Sequence, residues 1–237
     1  MNLGCLSKPT YDVYGLYHCS IAEKYRRNQY CLYQVFLWIM GSSSARIRLQ
    51  FSQRYYLRKM DVCMNPKALF IDRDGIINQD FGYVSSVADF KFTDGIFELL
   101  TCFARAGYLL VVVTNQSGIG RGYYTQSDFE CLTQWMLERF SEHGLEIKDV
   151  FFCPHTPDEQ CHCRKPDTGM IEAAVNIHRI DLSHSWMIGD KFSDVQLARN
   201  SGISKAIFIG EQGCEAADFA FANIQDCADY FRVGKRL

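Results

Sequence analysis

The sequence predicts an α/β fold in which a doubly wound parallel sheet carries helices on both faces. Two observations predict it. From residue 68 onward, short apolar runs alternate with segments of helical periodicity, and the run at 108–114 is continuously apolar and rich in β-branched residues. Strands of parallel sheets are buried on both faces and therefore show such runs. In this architecture, the polar side chains that follow the strands gather at one edge of the sheet.

The individual elements follow from local patterns along the chain. Strands are expected at 68–71, 108–114, 149–153, 186–188 and 206–209. Helices are expected at 94–106, from 125 to about 144, at 168–179, at 192–200 and within 215–231. Asp94 is assigned as the N-cap of the first helix, and Thr125 with Asp128 as the start of the second. Gly107 directly follows the first predicted helix and Gly202 comes just after the one at 192–200, and glycine commonly ends a helix at such positions.

The chain divides near residue 64 into two parts of different composition. Residues 1–64 hold nine Lys and Arg against three Asp and Glu, and eight of the thirteen tyrosines, whereas residues 65–237 are acidic. The apolar run 31–40 is similar to a signal peptide or anchor, but a membrane helix needs about 20 residues. We expect 1–64 to be an extension that is disordered or absent from the native protein. Translation from Met60 or Met64 would leave the domain at 65–237.

Overall composition narrows the classes of function. The 237 residues include 48% hydrophobic residues and have a formal net charge of −2, as in an ordinary globular protein. This charge gives no case for nucleic-acid binding. We expect a cytoplasmic monomer that acts on a small molecule and binds neither nucleic acid nor membrane. The eleven cysteines are an odd number for a fully paired secreted scaffold.

Four polar segments lie at predicted strand ends or helix starts, and together they define a candidate site. They are Asp72-Arg73-Asp74-Gly75, Thr114-Asn115-Gln116-Ser117-Gly118, Arg164-Lys165-Pro166 and Gly189-Asp190-Lys191-Phe192-Ser193-Asp194. The first offers two carboxylates, one as a nucleophile or metal ligand and one as acid or base. The second and third offer a hydroxyl, backbone N–H groups and cations for a phosphate. Asp190 can complete a cation site with Asp72, supported by Asp194. Each segment alone also fits turn or capping chemistry.

The order and spacing of these segments resemble the haloacid dehalogenase superfamily of phosphatases. The resemblance implies that Asp72 is a nucleophile that forms an aspartyl-phosphate, and that Asp74 is first the acid and later the base. It implies that Thr114 and Lys165 hold the phosphoryl oxygens. It also implies that Mg²⁺ binds Asp72, the backbone carbonyl of Asp74 and Asp190. The metal lets an anionic carboxylate approach an anionic phosphate.

A cluster of cysteine and histidine follows the third predicted strand. Cys153, His155, Cys161 and Cys163 supply three thiolates and an imidazole within eleven residues, a set that suits tetrahedral Zn²⁺. His162 is a weaker candidate because both of its neighbours already serve as ligands. The alternative is that the two cysteine groups are incidental. The loop contains few apolar residues, so we expect the zinc to be structural and to order it.

The superfamily resemblance covers about residues 67–210, and the zinc loop narrows it. Together with the lack of room for a large cap domain, this loop is similar to the branch that contains histidinol phosphatases and heptose-bisphosphate phosphatases. Residues 80–83, 114–122 and 189–191 are most similar to the heptose-bisphosphate enzymes. The resemblance implies substrate contacts from Asp80, Phe81, Gly82, Tyr83, Thr114, Asn115, Gln116, Ser117, Arg164, Lys165 and Lys191.

Three departures from the family pattern concern the substrate and the turn after the first strand. Ile76 stands where the superfamily usually has Thr, Phe81 stands where a histidine is expected, and the middle of the zinc loop is short.

The resemblance implies hydrolysis of the C7 phosphate of a heptose 1,7-bisphosphate, in the synthesis of nucleotide-activated heptose for bacterial surface glycans such as the lipopolysaccharide core. The alternatives are a histidinol-phosphate phosphatase of histidine biosynthesis and a catalytically silent, zinc-stabilised binding domain.

Overall fold

The computed structural model describes residues 65–233, and the predictions made for 1–64 lie outside the described residues. The strands are β1 (Ala68–Ile71), β2 (Leu109–Asn115), β3 (Ile147–Cys153), β4 (Trp186–Gly189), β5 (Lys205–Ile209) and β6 (Phe219–Phe221). The helices are α1 (Ile96–Arg105), α2 (Ser117–Gly120), α3 (Gln126–Glu142), α4 (Gly169–His178), α5 (Phe192–Ser201) and α6 (Ile224–Arg232). Short 3₁₀ turns span Pro157–Glu159 and Leu182–His184.

The six strands form one sheet in the order β3-β2-β1-β4-β5-β6, and all five neighbouring pairs are parallel. The chain therefore winds outward from β1 to one edge and then returns to continue from β4 to the other edge. The reversal lies between β1 and β4, which is the place where doubly wound sheets bind their ligands. The predicted doubly wound α/β fold is confirmed.

Alternate residues of the sheet supply two separate hydrophobic cores. All four residues of β1 are fully buried: Leu69 and Ile71 pack on one face, and Ala68 and Phe70 pack on the other. The first face is covered by α1, α3 and α6, and the second by α4 and α5. Burial of each large apolar side chain stabilises a fold by about 1.5–3 kcal/mol. This packing fixes the strand ends, which carry the polar segments.

The N-cap of α1 differs from its prediction, and two short elements, α2 and β6, had no counterpart among the predictions. Asp94 is not the N-cap of α1, because that position is held by Gly95 at φ +84°. A Cβ atom on Gly95 would lie 2.8 Å from the Cα of Gln225 in α6, so the close approach of the two helices requires glycine there. The strand β6 was not predicted, because three residues are too few to show a period. The cap of α3 by Thr125 and Asp128 is confirmed.

Between residues 65 and 233, none of the helices combines the length and the apolar character needed to span a bilayer.

Candidate active site and metal centres

Asp72 lies directly after β1 and contacts a buried lysine. The Lys165 Nζ lies 2.7 Å from Asp72 Oδ1 and 2.7 Å from Asp194 Oδ1, and it donates to the carbonyl of Val113 at 3.0 Å. Burial raises the pKa of Asp72 to about 7, although Lys165 acts against this shift. Burial alone would lower the pKa of Lys165, but Asp194 and Asp72 outweigh it and raise that pKa. The lysine is therefore a fixed cation beside the carboxylate.

Three carboxylates meet next to this pair. Single oxygens of Asp72, Asp190 and Asp194 all lie within 4.8 Å of one another. Asp190 Oδ1 is buried and accepts no hydrogen bond from any residue that the structure describes. A Cβ atom on Gly75 would lie only 2.1 Å from Asp190 Oδ2, so glycine is required beside this acid. Carboxylate oxygens are the ligands that Mg²⁺ prefers, and a buried carboxylate oxygen without a hydrogen bond calls for a cation, so the residues fit that ion.

The carboxylate of Asp74 is held apart from this cluster by four hydrogen bonds. Its Oδ1 accepts from Arg73 Nη2 at 2.7 Å, from Arg73 Nε at 3.1 Å and from Asn78 Nδ2 at 3.1 Å. Its Oδ2 accepts from Gln116 Nε2 at 2.9 Å. The guanidinium of Arg73 is itself buried and also donates to the Val84 carbonyl at 2.7 Å. Sequence reasoning gave no role to Arg73 or Asn78, although an arginine between two acids at a strand end was a usable signal.

The segment that ends β2 and enters α2 mostly supports its neighbours. Thr114 is buried, and its Oγ1 accepts from Gln116 Nε2 at 2.9 Å. Asn115 donates from Nδ2 to the Lys165 carbonyl at 3.2 Å and accepts the Lys165 N–H at Oδ1 at 3.0 Å, so it clamps the lysine main chain. Gln116 is buried, whereas Ser117 at the start of α2 is half-buried. The structure thus joins Asn115 to Lys165, whereas the side chain of Thr114 contacts Gln116.

Apart from Lys165 and the segment at 114–117, the residues expected to contact substrate form two groups: the 80–83 loop with Lys191, and Arg164 with the preceding loop. Asp80 accepts from the Gly82 N–H at 2.9 Å and from Lys191 Nζ at 3.2 Å, which joins the 80–83 loop to the segment after β4. Burial acts to raise the pKa of Asp80, but the Gly82 N–H and Lys191 outweigh it and lower that pKa. Phe81 is 65% exposed and Tyr83 is 48% exposed, so both aromatic rings face solvent.

Arg164, in contrast, is joined to the cysteine and histidine cluster, since its Nη1 donates to the His155 carbonyl at 3.4 Å.

The four predicted zinc ligands converge on one point. Cys153 Sγ lies 3.4 Å from Cys161 Sγ and 3.6 Å from His155 Nδ1, and Cys163 Sγ lies 3.2 Å from His155 Nδ1 and 3.5 Å from Cys161 Sγ. Ligands about 2.0–2.3 Å from a tetrahedral zinc have separations close to these values. His162 is exposed and contacts Glu172 instead, at 3.1 Å. The residues fit a structural Zn²⁺. His162, the weaker candidate for a zinc ligand, lies outside this group of four.

Fold and site together are those of a haloacid dehalogenase-like hydrolase, and comparison with known proteins agrees. A family model described as HAD-hydrolase-like matches residues 162–223. The chain is 44% identical over 170 residues to the D-glycero-alpha-D-manno-heptose-1,7-bisphosphate 7-phosphatase of Campylobacter jejuni, covering 71% of this chain and 98% of the relative. It is 51% identical over 144 residues to the D-glycero-beta-D-manno-heptose-1,7-bisphosphate 7-phosphatase of Helicobacter pylori, covering 60% of this chain and 83% of the relative.

A solved structure is similar to the described domain over its full length. The D,D-heptose 1,7-bisphosphate phosphatase of B. bronchiseptica, crystallised with magnesium and phosphate, superposes with a TM-score of 0.63 at 27% identity, covering 70% of this chain and 98% of that chain. The protein belongs to the family of haloacid dehalogenase-like phosphatases that includes these heptose-bisphosphate phosphatases.

Proposed function

We propose that the protein hydrolyses the C7 phosphate of D-glycero-D-manno-heptose 1,7-bisphosphate through an aspartyl-phosphate on Asp72. The observation that carries the reaction is the buried contact of 2.7 Å between Lys165 and Asp72, beside the carboxylates of Asp190 and Asp194. A carboxylate needs such a cationic surround to attack a phosphate that carries charge of the same sign.

The reaction proceeds in two displacements. An oxygen of Asp72 attacks phosphorus, the bond from phosphorus to the C7 oxygen breaks, and Asp74 donates a proton to that leaving oxygen. The Arg73 N–H and Lys165 both contact Asp72 Oδ1, so we assign the attack to Oδ2. Water then attacks phosphorus and gives its proton to Asp74, and the bond between phosphorus and the Asp72 oxygen breaks. Inorganic phosphate leaves, and both carboxyl groups return to their starting states.

The remaining site residues bind the phosphoryl group and the metal ion. Thr114 and Lys165 hold the phosphoryl oxygens during both displacements. Mg²⁺ would be held by Asp72, the backbone carbonyl of Asp74 and Asp190, with Asp194 behind them. When bound, it supplies the positive charge that neutralises the phosphoryl oxygens. The relative crystallised with magnesium and phosphate supports this choice of ion.

The substrate is assigned from the family and from the charged residues around the site. Arg164 would hold the second phosphate, since a guanidinium pairs with phosphate through two parallel hydrogen bonds. Zn²⁺ on Cys153, His155, Cys161 and Cys163 would order the loop that carries this arginine. The 80–83 loop and Lys191 would contact the sugar. One relative is named for the alpha anomer and another for the beta anomer, so the proposal covers both.

The alternative, a histidinol-phosphate phosphatase, has less support because the relatives described above are named for heptose bisphosphates. The test is phosphate release from both heptose bisphosphate anomers, histidinol phosphate and simple esters in the presence of Mg²⁺. We expect the highest kcat/KM on a heptose bisphosphate. The highest value on histidinol phosphate would overturn the substrate proposal, and release from no ester would favour a silent binding domain.

A further inference from the structure

Gln116 is buried, and its side-chain amide joins three other side chains. Its Nε2 donates to Asp74 Oδ2 and to Thr114 Oγ1, both at 2.9 Å, and its Oε1 accepts from the hydroxyl of Tyr124 at 2.5 Å. Both amide hydrogens are therefore used inside the protein. If this side chain donated a hydrogen bond to substrate, one of these two bonds from Nε2 would have to break.

The orientation of this amide depends on Tyr124. Once Asp74 has given its proton to the leaving oxygen it is a carboxylate, which accepts hydrogen bonds and cannot donate them, so at that stage the nitrogen of Gln116 has to face it. Rotating the amide by 180° would instead point its oxygen at Asp74. The Tyr124 hydroxyl favours the observed orientation, because it donates to the oxygen on the opposite side.

The hydroxyl of Tyr124 is itself fixed in place. A Cβ atom on Gly118 would lie 2.1 Å from Cε1 of the Tyr124 ring, so the ring packs directly against the glycine backbone of α2. Burial raises the pKa of Tyr124 to about 12, so the hydroxyl stays protonated and able to donate near neutral pH. The side chain is buried, with 8% of its surface exposed.

We propose that Tyr124 is a positioning residue that acts through Gln116 to hold Asp74 and Thr114 in their reactive orientations. The proposal rests on the acid role of Asp74 in the function proposed above. Tyr124 touches neither substrate nor the reacting atoms. Its hydroxyl fixes one amide, and that amide fixes the group that gives up a proton and the group that holds a phosphoryl oxygen. Removing it takes away one of the three hydrogen bonds that hold the amide, so the amide can shift, and misplacement of a catalytic group by about 1 Å can cost roughly 100-fold in rate.

The test is Tyr124→Phe, which removes the hydroxyl and keeps the ring against Gly118. We expect kcat on the sugar bisphosphate to fall by about 10- to 100-fold with KM nearly unchanged, because the alkoxide leaving group needs a proton. With p-nitrophenyl phosphate, the pre-steady-state burst of nitrophenolate should slow much less, because this leaving group departs without a proton and only the effect on Thr114 remains. Tyr123→Phe is the matched control: it removes the same atom from the next residue, whose side chain is 62% exposed, and should change neither rate.

Gln116→Ala and the double variant test whether Tyr124 acts through the amide. We expect the double variant to be no slower than Gln116→Ala alone, since the hydroxyl then has nothing to fix. Thermal unfolding and circular dichroism check that each variant folds. Equal slowing of the sugar bisphosphate reaction and the nitrophenolate burst, or multiplied effects in the double variant, would overturn the proposal. If the wild type prefers another alkyl phosphate, the proposed substrate is wrong, and the same comparison on that ester still tests Tyr124.

Discussion

Individual residues set the geometry of this site because their surroundings leave them little freedom. The position of Asp190 depends on the missing side chain of Gly75, and the orientation of Asp74 depends on Arg73, Asn78 and Gln116. The acids themselves could be predicted from the sequence. Among their supports, Arg73 lies next to Asp74 in the sequence and was a usable signal, whereas Gln116 lies 42 residues away and was not.

Asp72→Asn tests the nucleophile. The amide cannot attack phosphorus, so kcat should fall by more than about 10³-fold, as is typical when an enzyme loses its nucleophile. Steady-state phosphate release measures the loss, and circular dichroism checks the fold. Asp89→Asn, the same change at an exposed position outside the site, should retain wild-type kcat. An active Asp72→Asn variant would show that the nucleophile is assigned to the wrong residue.

Gly75→Ala tests the packing beside the cation site. The new methyl group would overlap the Asp190 carboxylate, so the affinity for Mg²⁺ measured by titration calorimetry should fall by at least about tenfold. Gly107→Ala is the matched control, because it has a similar φ, +83° against +96°, and open space around its Cβ position. Both variants carry backbone strain of about 1–2 kcal/mol. Only Gly75→Ala should weaken Mg²⁺ binding. If both variants lost Mg²⁺ affinity equally, backbone strain rather than overlap with Asp190 would be the cause.

At the scale of elements, strands and capped helices were predictable and the shortest pieces were not. The predicted strand at 68–71 coincides with β1, and the capping box at Thr125 marks the start of α3. Both are encoded by adjacent residues. The start of α1 at Gly95 and the strand β6 depend instead on packing against α6 and on pairing with β5. Such tertiary causes leave no periodic trace in the sequence.

The loop after β3 gives a prediction about zinc. His155→Ala removes a ligand, so the bound zinc measured by elemental analysis should fall well below that of the wild type, and activity should fall with it. His162→Ala is the matched control, because His162 contacts Glu172 at the surface, and it should retain the wild-type zinc content. Mg²⁺ binding should survive in both. Zinc loss in the His162 variant alone would mean that the ligands are misassigned.

At the scale of the whole molecule, stability should depend jointly on pH and Mg²⁺. Asp72 has a pKa raised to about 7 in the folded protein, against about 3.9 in an unfolded chain. Between these values the folded state binds the extra proton, so the free energy of unfolding of the metal-free protein should decrease from pH 4 toward pH 7 through this group. Bound Mg²⁺ removes the need for that proton.

Thermal unfolding with and without Mg²⁺ checks this linkage. The rise in Tm on adding Mg²⁺ should be larger at pH 8 than at pH 5.5, because at low pH the cation has to displace a proton. In Asp72→Asn, the dependence of this rise on pH should be weaker. A rise of equal size at both values in the wild type would contradict the coupling of Asp72 to the metal.

The order of the sheet separates reactivity from selectivity. Thr114, Asp72 and Asp190 end or follow three adjacent strands, β2, β1 and β4, and neighbouring strands lie about 4.8 Å apart in any sheet. The spacing of the strands thus fixes the distances between the groups proposed to bind and attack the phosphoryl group. The surrounding loops, where Phe81 stands in place of the histidine expected from the family resemblance, are not constrained by that spacing. They can change in sequence and length and so redirect the enzyme to another phosphate ester while the catalytic spacing stays constant.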